Sequence, residues 1–223
     1  MSVVIAIDAA VGGCSVAVTR NGSPLAAAAE AMVRGHAEVL PPMIRRVMAQ
    51  AGIGWPELTA IAATVGPGSF TGVRIGLAAA RGLALATGAT TVPITTLEAI
   101  AAGAGVGDAP LLVALDSKRQ DLYAQWFENS GQPIGPPMVV ALEGLRINAG
   151  SYAAKGALRL AGDADSAVAE ILTSEGFAVT RVSGSDRPDA RVVAALAVDR
   201  LLRSGSATLR PLYLRPPDVS RPG

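Results

Sequence analysis

Five groups of residues in this chain have the types and spacing to do chemistry. Gly66, Gly68 and Gly72, with Ser69 and Thr71 among them, link an apolar run (Ile61 to Thr64) to a helical one. Glycines there permit positive φ and close backbone approach, and the N–H groups that open a helix attract anions. Gly66, Gly68, Ser69, Thr71 and Gly72 are therefore candidates for a nucleotide or anion loop. The same glycines, with Gly76, also let a helix press against strand and neighbour, and we favour that packing reading. It is not a Walker loop, because no Lys-Ser or Lys-Thr follows the last glycine. Asp8 ends an apolar run, where it can hold a metal through water or cap a turn.

The other groups are weaker. His36 is the single histidine and Cys14 the single cysteine. One of each cannot complete a nitrogen–sulfur metal site, so no metal is expected, and His36 reads as part of an apolar helix face. Ser69 lacks a Gly-x-Ser-x-Gly setting, since position 67 is Pro and 71 is Thr. Its only available base is His36, and nothing orients such a pair. No residue is assigned a catalytic role. Asp116, Lys118 and Arg119 share a turn, and they either meet a ligand at a cleft or form a polar hairpin tip.

The elements that must position these residues are legible in part. Val3 to Asp8 reads as a buried strand and Cys14 to Thr19 as a second. Asn21-Gly22 then turns the chain into a third around Leu25 to Glu30. His36 to Ala51 is helical in pattern, with His36, Leu40, Met43, Ile44, Val47 and Ala51 on one face. Pro41 and Pro42 lie in its first turn or kink it. Thr71 to Thr87 is apolar almost all round, with Arg74 and Arg81 its only charges, so burial on more than one side is expected. A strand near Thr91 to Ile94 and a short helix from Leu97 to Ala102 precede a Gly-rich linker, Gly103 to Gly107.

The second half opens as the first does. Leu111 to Leu115 is an apolar strand followed by an acidic residue and an immediate return strand, Leu122 to Phe127. That echo suggests duplication. Gly131 to Pro137 reads as a loop, with strands near Leu158 to Leu160 and Ala178 to Val182. Helices are expected at Ser166 to Glu175 and Ala190 to Leu202, and a tail with four prolines, Pro211 to Gly223, is expected to lie extended on the surface.

Composition bounds the function. Half of the 223 residues are hydrophobic but only 4% are aromatic, so the core must be built from small aliphatic side chains packed closely. Charged residues are 17%, a thin covering that leaves apolar surface for another chain. The net charge of +1, without a block of Lys or Arg, lacks the footprint of a stand-alone nucleic-acid binder. One cysteine means no disulfide framework. The start, Met1-Ser2-Val3-Val4-Ile5, has no basic region and does not read as a signal peptide. No apolar run is long enough to span a bilayer. A cytoplasmic protein is expected.

The stretch Gly66-Pro67-Gly68-Ser69-Phe70-Thr71-Gly72-Val73-Arg74-Ile75-Gly76 resembles the signature of the TsaB family. Asp8-Ala9-Ala10 ends a first strand, and Gly35-His36-Ala37-Glu38-Val39-Leu40-Pro41-Pro42-Met43-Ile44 opens a helix, as in that family. Asp116-Ser117-Lys118-Arg119-Gln120-Asp121-Leu122-Tyr123 is similar to its Asp-Ala-Arg-Arg-x-x-x-Tyr turn. Pro211-Leu212-Tyr213-Leu214-Arg215 is similar to its carboxy-terminal signature. These landmarks run in order along the whole length.

The resemblance implies an α/β, actin-like ATPase (ribonuclease H-like) fold of two small domains, each with a mixed sheet and flanking helices. Residues 1–102 would form the amino-terminal domain with the partner-binding helices. Residues 108–223 would form a reduced second domain with an extended tail. Actin-like ATPases carry Asp-x-Gly-Thr in their first β-turn to hold phosphate. Here the turn is Asp8-Ala9-Ala10-Val11-Gly12-Gly13, which keeps Asp and lacks Gly-Thr in place. TsaD, the family's catalytic partner, binds its metal with His-x-x-x-His, whereas His36 is followed at position 40 by Leu.

The implied function is a non-catalytic subunit that binds and activates TsaD. That partner transfers a threonylcarbamoyl group to the adenosine next to the anticodon in tRNA, and a TsaE-like ATPase completes the assembly. The partner-binding residues would be His36, Val39, Leu40, Met43 and Val47 on one helix and Val73, Arg74, Leu77 and Arg81 on the next. Their outer faces would pair with two helices of another chain, or with a second copy when TsaD is absent. The subunit would have no cofactor of its own, with ATP or ADP able to sit at the surface shared with TsaD. It would meet tRNA only indirectly. The rival reading is a stand-alone actin-like-fold enzyme, either a nucleotide-dependent kinase or a glycopeptidase-like hydrolase.

Overall fold

In the computed structural model, which describes residues 2–145 and 156–215, two sheets of five strands repeat one plan. Val3–Asp8 (β1), Gly13–Arg20 (β2) and Ser23–Ala31 (β3) form an antiparallel meander. Asn21 and Gly22 make the β2–β3 turn with φ of 51° and 81°, the doubly left-handed turn whose twist suits paired strands. Ala60–Thr64 (β4) and Thr90–Ile94 (β5) join in parallel, giving the order β3-β2-β1-β4-β5. β1 lies at the centre and all six of its residues are buried, which explains its unbroken apolar run. Parallel neighbours need crossovers, supplied by His36–Ala51 (α1) and Phe70–Thr87 (α2).

The second sheet contains Leu111–Asp116 (β6), Asp121–Phe127 (β7), Met138–Ala141 (β8), Ala157–Ala161 (β9) and Ala178–Arg181 (β10). Their order, β10-β9-β6-β7-β8, matches the first sheet strand for strand, so the internal echo is a duplication. β8 falls just after the expected loop and was not anticipated. With four residues between Pro137 and a helical turn, it is too short to show a period.

The closing helices are exchanged. Thr96–Ala104 (α3) follows β5, yet its Leu97, Ile100 and Ala101 pack with Leu111, Val113, Leu115 and Phe127 of the second sheet. Asp165–Ser174 (α4) crosses from β9 to β10, and Ala190–Ser204 (α5) then returns to the first sheet. There Val193, Ala194 and Ala197 meet Val4, Ala6, Ala17, Ala62 and Val92. The residues expected in the second domain thus include the helix that covers one face of the first. Glu98 of α3 and Arg200 of α5 form an ion pair between the two.

The first-turn alternative for Pro41 and Pro42 is excluded, and the expectation for α2 needs correction. Pro41 and Pro42 lie inside α1, in its second turn rather than its first. Both are exposed, as are Ala37 and Glu38, whose carbonyls lose their intrahelical donors there and can turn to water. α2 is apolar all round but not buried all round. Gly72, Val73, Gly76, Leu77 and Ala80 face the core, while Ala78, Gly82 and Leu85 are exposed. No helix of the described residues is long and apolar enough to cross a membrane.

After α5 the chain runs as a strap over the first sheet's edge and α2. The Ala207 N–H donates to the Thr91 carbonyl at 3.0 Å, and the Leu212 N–H donates to the Val65 carbonyl at 2.7 Å. Leu209 is buried beneath it and Leu212 packs on the core. Where it is described, the tail is fastened at Leu212 rather than simply lying on the surface. Its last part, including Arg221, lies outside the described residues.

Candidate functional site

The β1–β2 turn and the β4–α2 loop, the two turns that carried the phosphate expectation, press directly on each other. The Ser69 N–H donates to the Ala10 carbonyl at 2.8 Å. A Cβ at Gly68 would sit 2.5 Å from the Ala10 carbonyl oxygen, and one at Gly72 would sit 2.1 Å from that of Ala9. The glycines are therefore required by backbone-to-backbone contact. Ser69 caps α2, its Oγ accepting from the Gly72 N–H at 3.3 Å, and Thr71 is exposed beside it. The second half repeats the device: a Cβ on Gly162, just after β9, would lie 2.0 Å from the Ala114 carbonyl oxygen of β6.

Asp8 sits where these turns meet. It is 2% exposed, and its Oδ1 accepts from Thr64 Oγ1 at 2.6 Å and from the Ala10 N–H at 3.1 Å. Burial pushes its carboxyl up to about 7, against the pull of the Thr64 hydroxyl and the Ala10 and Ala9 N–H groups. Asp8 is thus a turn-organising acid that titrates near neutrality. A cavity of about 280 Å³ opens beside it, walled by Cys14, Ser15, Glu30, Asp186, Arg187 and Asp189. The Cys14 thiol is pushed up to about 11 by burial and by the charges of Asp8 and Glu30, so it is inert as a nucleophile. Ser15 Oγ accepts from the Ala190 N–H at 3.1 Å, joining this wall to the start of α5.

A second cavity, of about 410 Å³, lies at the β6–β7 turn. Lys118, left-handed at φ 62°, reaches Asp116 at 2.9 Å and Asp163 at 3.7 Å. Burial raises Asp116, but hydrogen bonds from the Lys118 ammonium and N–H, with the ammonium's charge, hold its carboxyl below the usual range. Burial keeps Asp163 above that range despite the Asp116 N–H and Lys118. Asp121 accepts from Ser117 Oγ at 2.5 Å and forms an ion pair with Arg215, which anchors the far end of the strap. The turn is a self-paired polar knot. Asp163 and Arg215, which complete it, come from distant segments and leave no local pattern around the turn.

The expected partner-binding residues divide into three groups. Leu40, Met43, Val47, Val73 and Leu77 are at most 5% exposed and belong to the chain's own core. Placing them on an outer face is corrected: their stripe is the one that meets the sheet. His36 and Val39 are half-buried at the start of α1. Arg74 and Arg81 are exposed but tied to the strap. Arg81 donates to the Leu209 carbonyl, with Nε at 3.0 Å, and Arg74 Nε donates to Tyr213 Oη at 3.0 Å. The Arg74 guanidinium also lies 3.5 Å from the Phe70 ring centroid, and the Phe70 and Tyr213 rings stack at 6.2 Å. Tyr213 had gone unassigned, although Pro211 to Arg215 was legible as a landmark.

The duplicated sheets, exchanged closing helices and abutting turns define an actin-like fold. Residues 28–176 match the family model for TsaD, tRNA N6-adenosine threonylcarbamoyltransferase. Over 127 residues the chain is 36% identical to the tRNA threonylcarbamoyladenosine biosynthesis protein TsaB of Escherichia coli, a match covering 56% of this chain and 54% of that one. It is 31% identical over 222 residues to the uncharacterized protein Rv3421c of Mycobacterium tuberculosis, covering 98% and 94% of the two. The solved structure of YeaZ from Pseudomonas aeruginosa superposes with a TM-score of 0.81 at 26% identity, over 96% of this chain and all of that one. The chain belongs to the TsaB (YeaZ) family.

Proposed function

We propose that this chain is a non-catalytic subunit that takes part in tRNA threonylcarbamoyladenosine formation by binding and activating a TsaD-like transferase. Family membership supports the pathway. The contact between the β1–β2 turn and the glycine loop supports the non-catalytic role. At these turns an actin-like enzyme would cradle phosphate, and here they close on each other at Gly68, Gly72, Ala9 and Ala10. A TsaE-like ATPase joins the assembly, tRNA is met through the partner, and ATP or ADP is held, if at all, at the shared surface. In the absence of that partner, the chain pairs with a second copy of itself.

One observation favours the rival reading. Asp8, poised near neutrality beside a cavity of about 280 Å³, has the acid–base character of a catalytic carboxyl in a stand-alone actin-like-fold enzyme. Calorimetric titration of the purified chain with ATP and Mg²⁺ separates the two. The subunit reading expects no tight binding and no turnover without a partner, and tight binding with turnover by the chain alone would contradict it.

A further inference from the structure

We propose that the open edge of β3 takes an extended segment of another protein as a further strand of the first sheet, with a lysine or arginine of that segment seated in the cavity beside Asp8. The proposal goes beyond the subunit reading and does not depend on it. The first sheet has two edges, β3 and β5. The carboxy-terminal strap covers the β5 edge, where the Ala207 N–H donates to the Thr91 carbonyl. β3 has nine residues, and no strand of the described residues lies beyond it. Folded proteins blunt such an edge with proline, bulges or charge, because its unpaired N–H and C=O groups invite another strand. Here Pro24 and the bulge opposite Val18 and Thr19 guard only the beginning of β3, and from Ala26 to Ala31 the one charge is Glu30.

Backbone direction along β3 follows from its contacts. The Met32 N–H donates to the Gly12 carbonyl at 3.1 Å, and a Cβ on Gly13 would lie 2.2 Å from the Glu30 carbonyl oxygen. Glu30 and Met32 therefore bond toward β2, and by the alternation of an antiparallel ladder Ala27, Ala29 and Ala31 turn their N–H and C=O groups outward. Charge selects the occupant. Ala29, Glu30 and Ala31 wall the cavity of about 280 Å³ together with Asp8, Asp186, Asp189 and Arg187. Four carboxylates thus face one guanidinium, which is itself paired with Asp186. A basic side chain on the incoming strand supplies the cation that this wall lacks. RNA is repelled by the same carboxylates. A second copy would bring another Glu30 and, between Ser23 and Ala31, no cation.

The experiment selects phage-displayed random peptides of nine residues, the length of β3, on the whole immobilised chain. The enriched peptides are then synthesised and titrated into the chain by calorimetry. Peptides with a lysine or arginine at one fixed position are expected, and their binding should slow amide exchange at Ala27, Ala29 and Ala31. Ala29→Pro removes an N–H that β2 does not use, so it should keep the fold and weaken binding about tenfold or more. Glu30→Lys, at an exposed position, should weaken it about tenfold. If Ala29→Pro melts early, Glu30→Lys and the exchange pattern decide alone. Enrichment of no peptide, or only of peptides without a fixed basic residue, would overturn the proposal. So would wild-type affinity for Glu30→Lys, or unchanged exchange along β3. Dimers abolished by Ala29→Pro, with no peptide enriched, would give the edge to a second copy and overturn it as well.

Discussion

Gly72 is the position where one added methyl group separates the packing account from an ordinary helix. In an exposed helix Gly→Ala gains about 1 kcal/mol. Here the new Cβ would lie 2.1 Å from the Ala9 carbonyl oxygen, a fixed backbone atom, so the two turns must part. Gly72→Ala should destabilise by about 2 kcal/mol or more, read as a lower urea midpoint, and a gain in stability would contradict the packed turns. Asp8 gives a second test. Its folded pKa of about 7 lies above the ordinary 3.8, so between these values the folded state keeps a proton that the unfolded chain releases. Its contribution to stability is therefore fully present at low pH, falls as pH rises through that window, and levels off above it. Asp8→Asn, compared with wild type by denaturation across the window, should remove that fall. Parallel pH profiles for the two proteins would show that Asp8 is not the titrating group.

Among the elements, α2 shows what spacing reveals and what it withholds. The apolar run showed that a helix exists and that it packs, but glycine and alanine satisfy a core face and an exposed face alike. Nothing in 3.6-residue periodicity says whether a sheet or another molecule covers a stripe, and so Leu40, Met43, Val47, Val73 and Leu77 were read outward when they face inward. β1 was legible because a central strand is apolar on both sides, whereas β8 was not, having only four residues. The strap was visible as prolines, but the hydrogen-bond acceptors of Arg74 and Arg81 on it lie more than a hundred residues away, beyond any local pattern. Leu77→Arg should fail to yield a folded protein, since it buries an unpaired charge, while Leu85→Arg should keep the wild-type melting temperature. Equal stability of the two would contradict the orientation of α2. Arg81→Ala should speed amide exchange at residues 207–212 with little change in global stability; unchanged exchange would mean that Arg81 does not hold the strap.

At the scale of the molecule, exchange of α3 and α5 makes each sheet depend on the other half of the chain. The first sheet buries Val4, Ala6, Ala62 and Val92 under a helix that comes from residues 190–204. Residues 1–104 alone should therefore collapse without a dispersed proton–nitrogen spectrum, and recover one when the remaining residues are supplied in trans. A dispersed spectrum from the fragment alone would contradict that dependence. The same exchange fixes one wall of the cavity beside Asp8, because α5 enters there through the Ser15 and Ala190 contact. The most direct measurement is reconstituted threonylcarbamoyl transfer to tRNA by purified TsaD-like and TsaE-like subunits, with and without this chain. We expect transfer only when the chain is added, no turnover by the chain alone, and a marked loss with Leu85→Arg. Undiminished transfer in its absence, or ATP turnover by the chain by itself, would contradict the account.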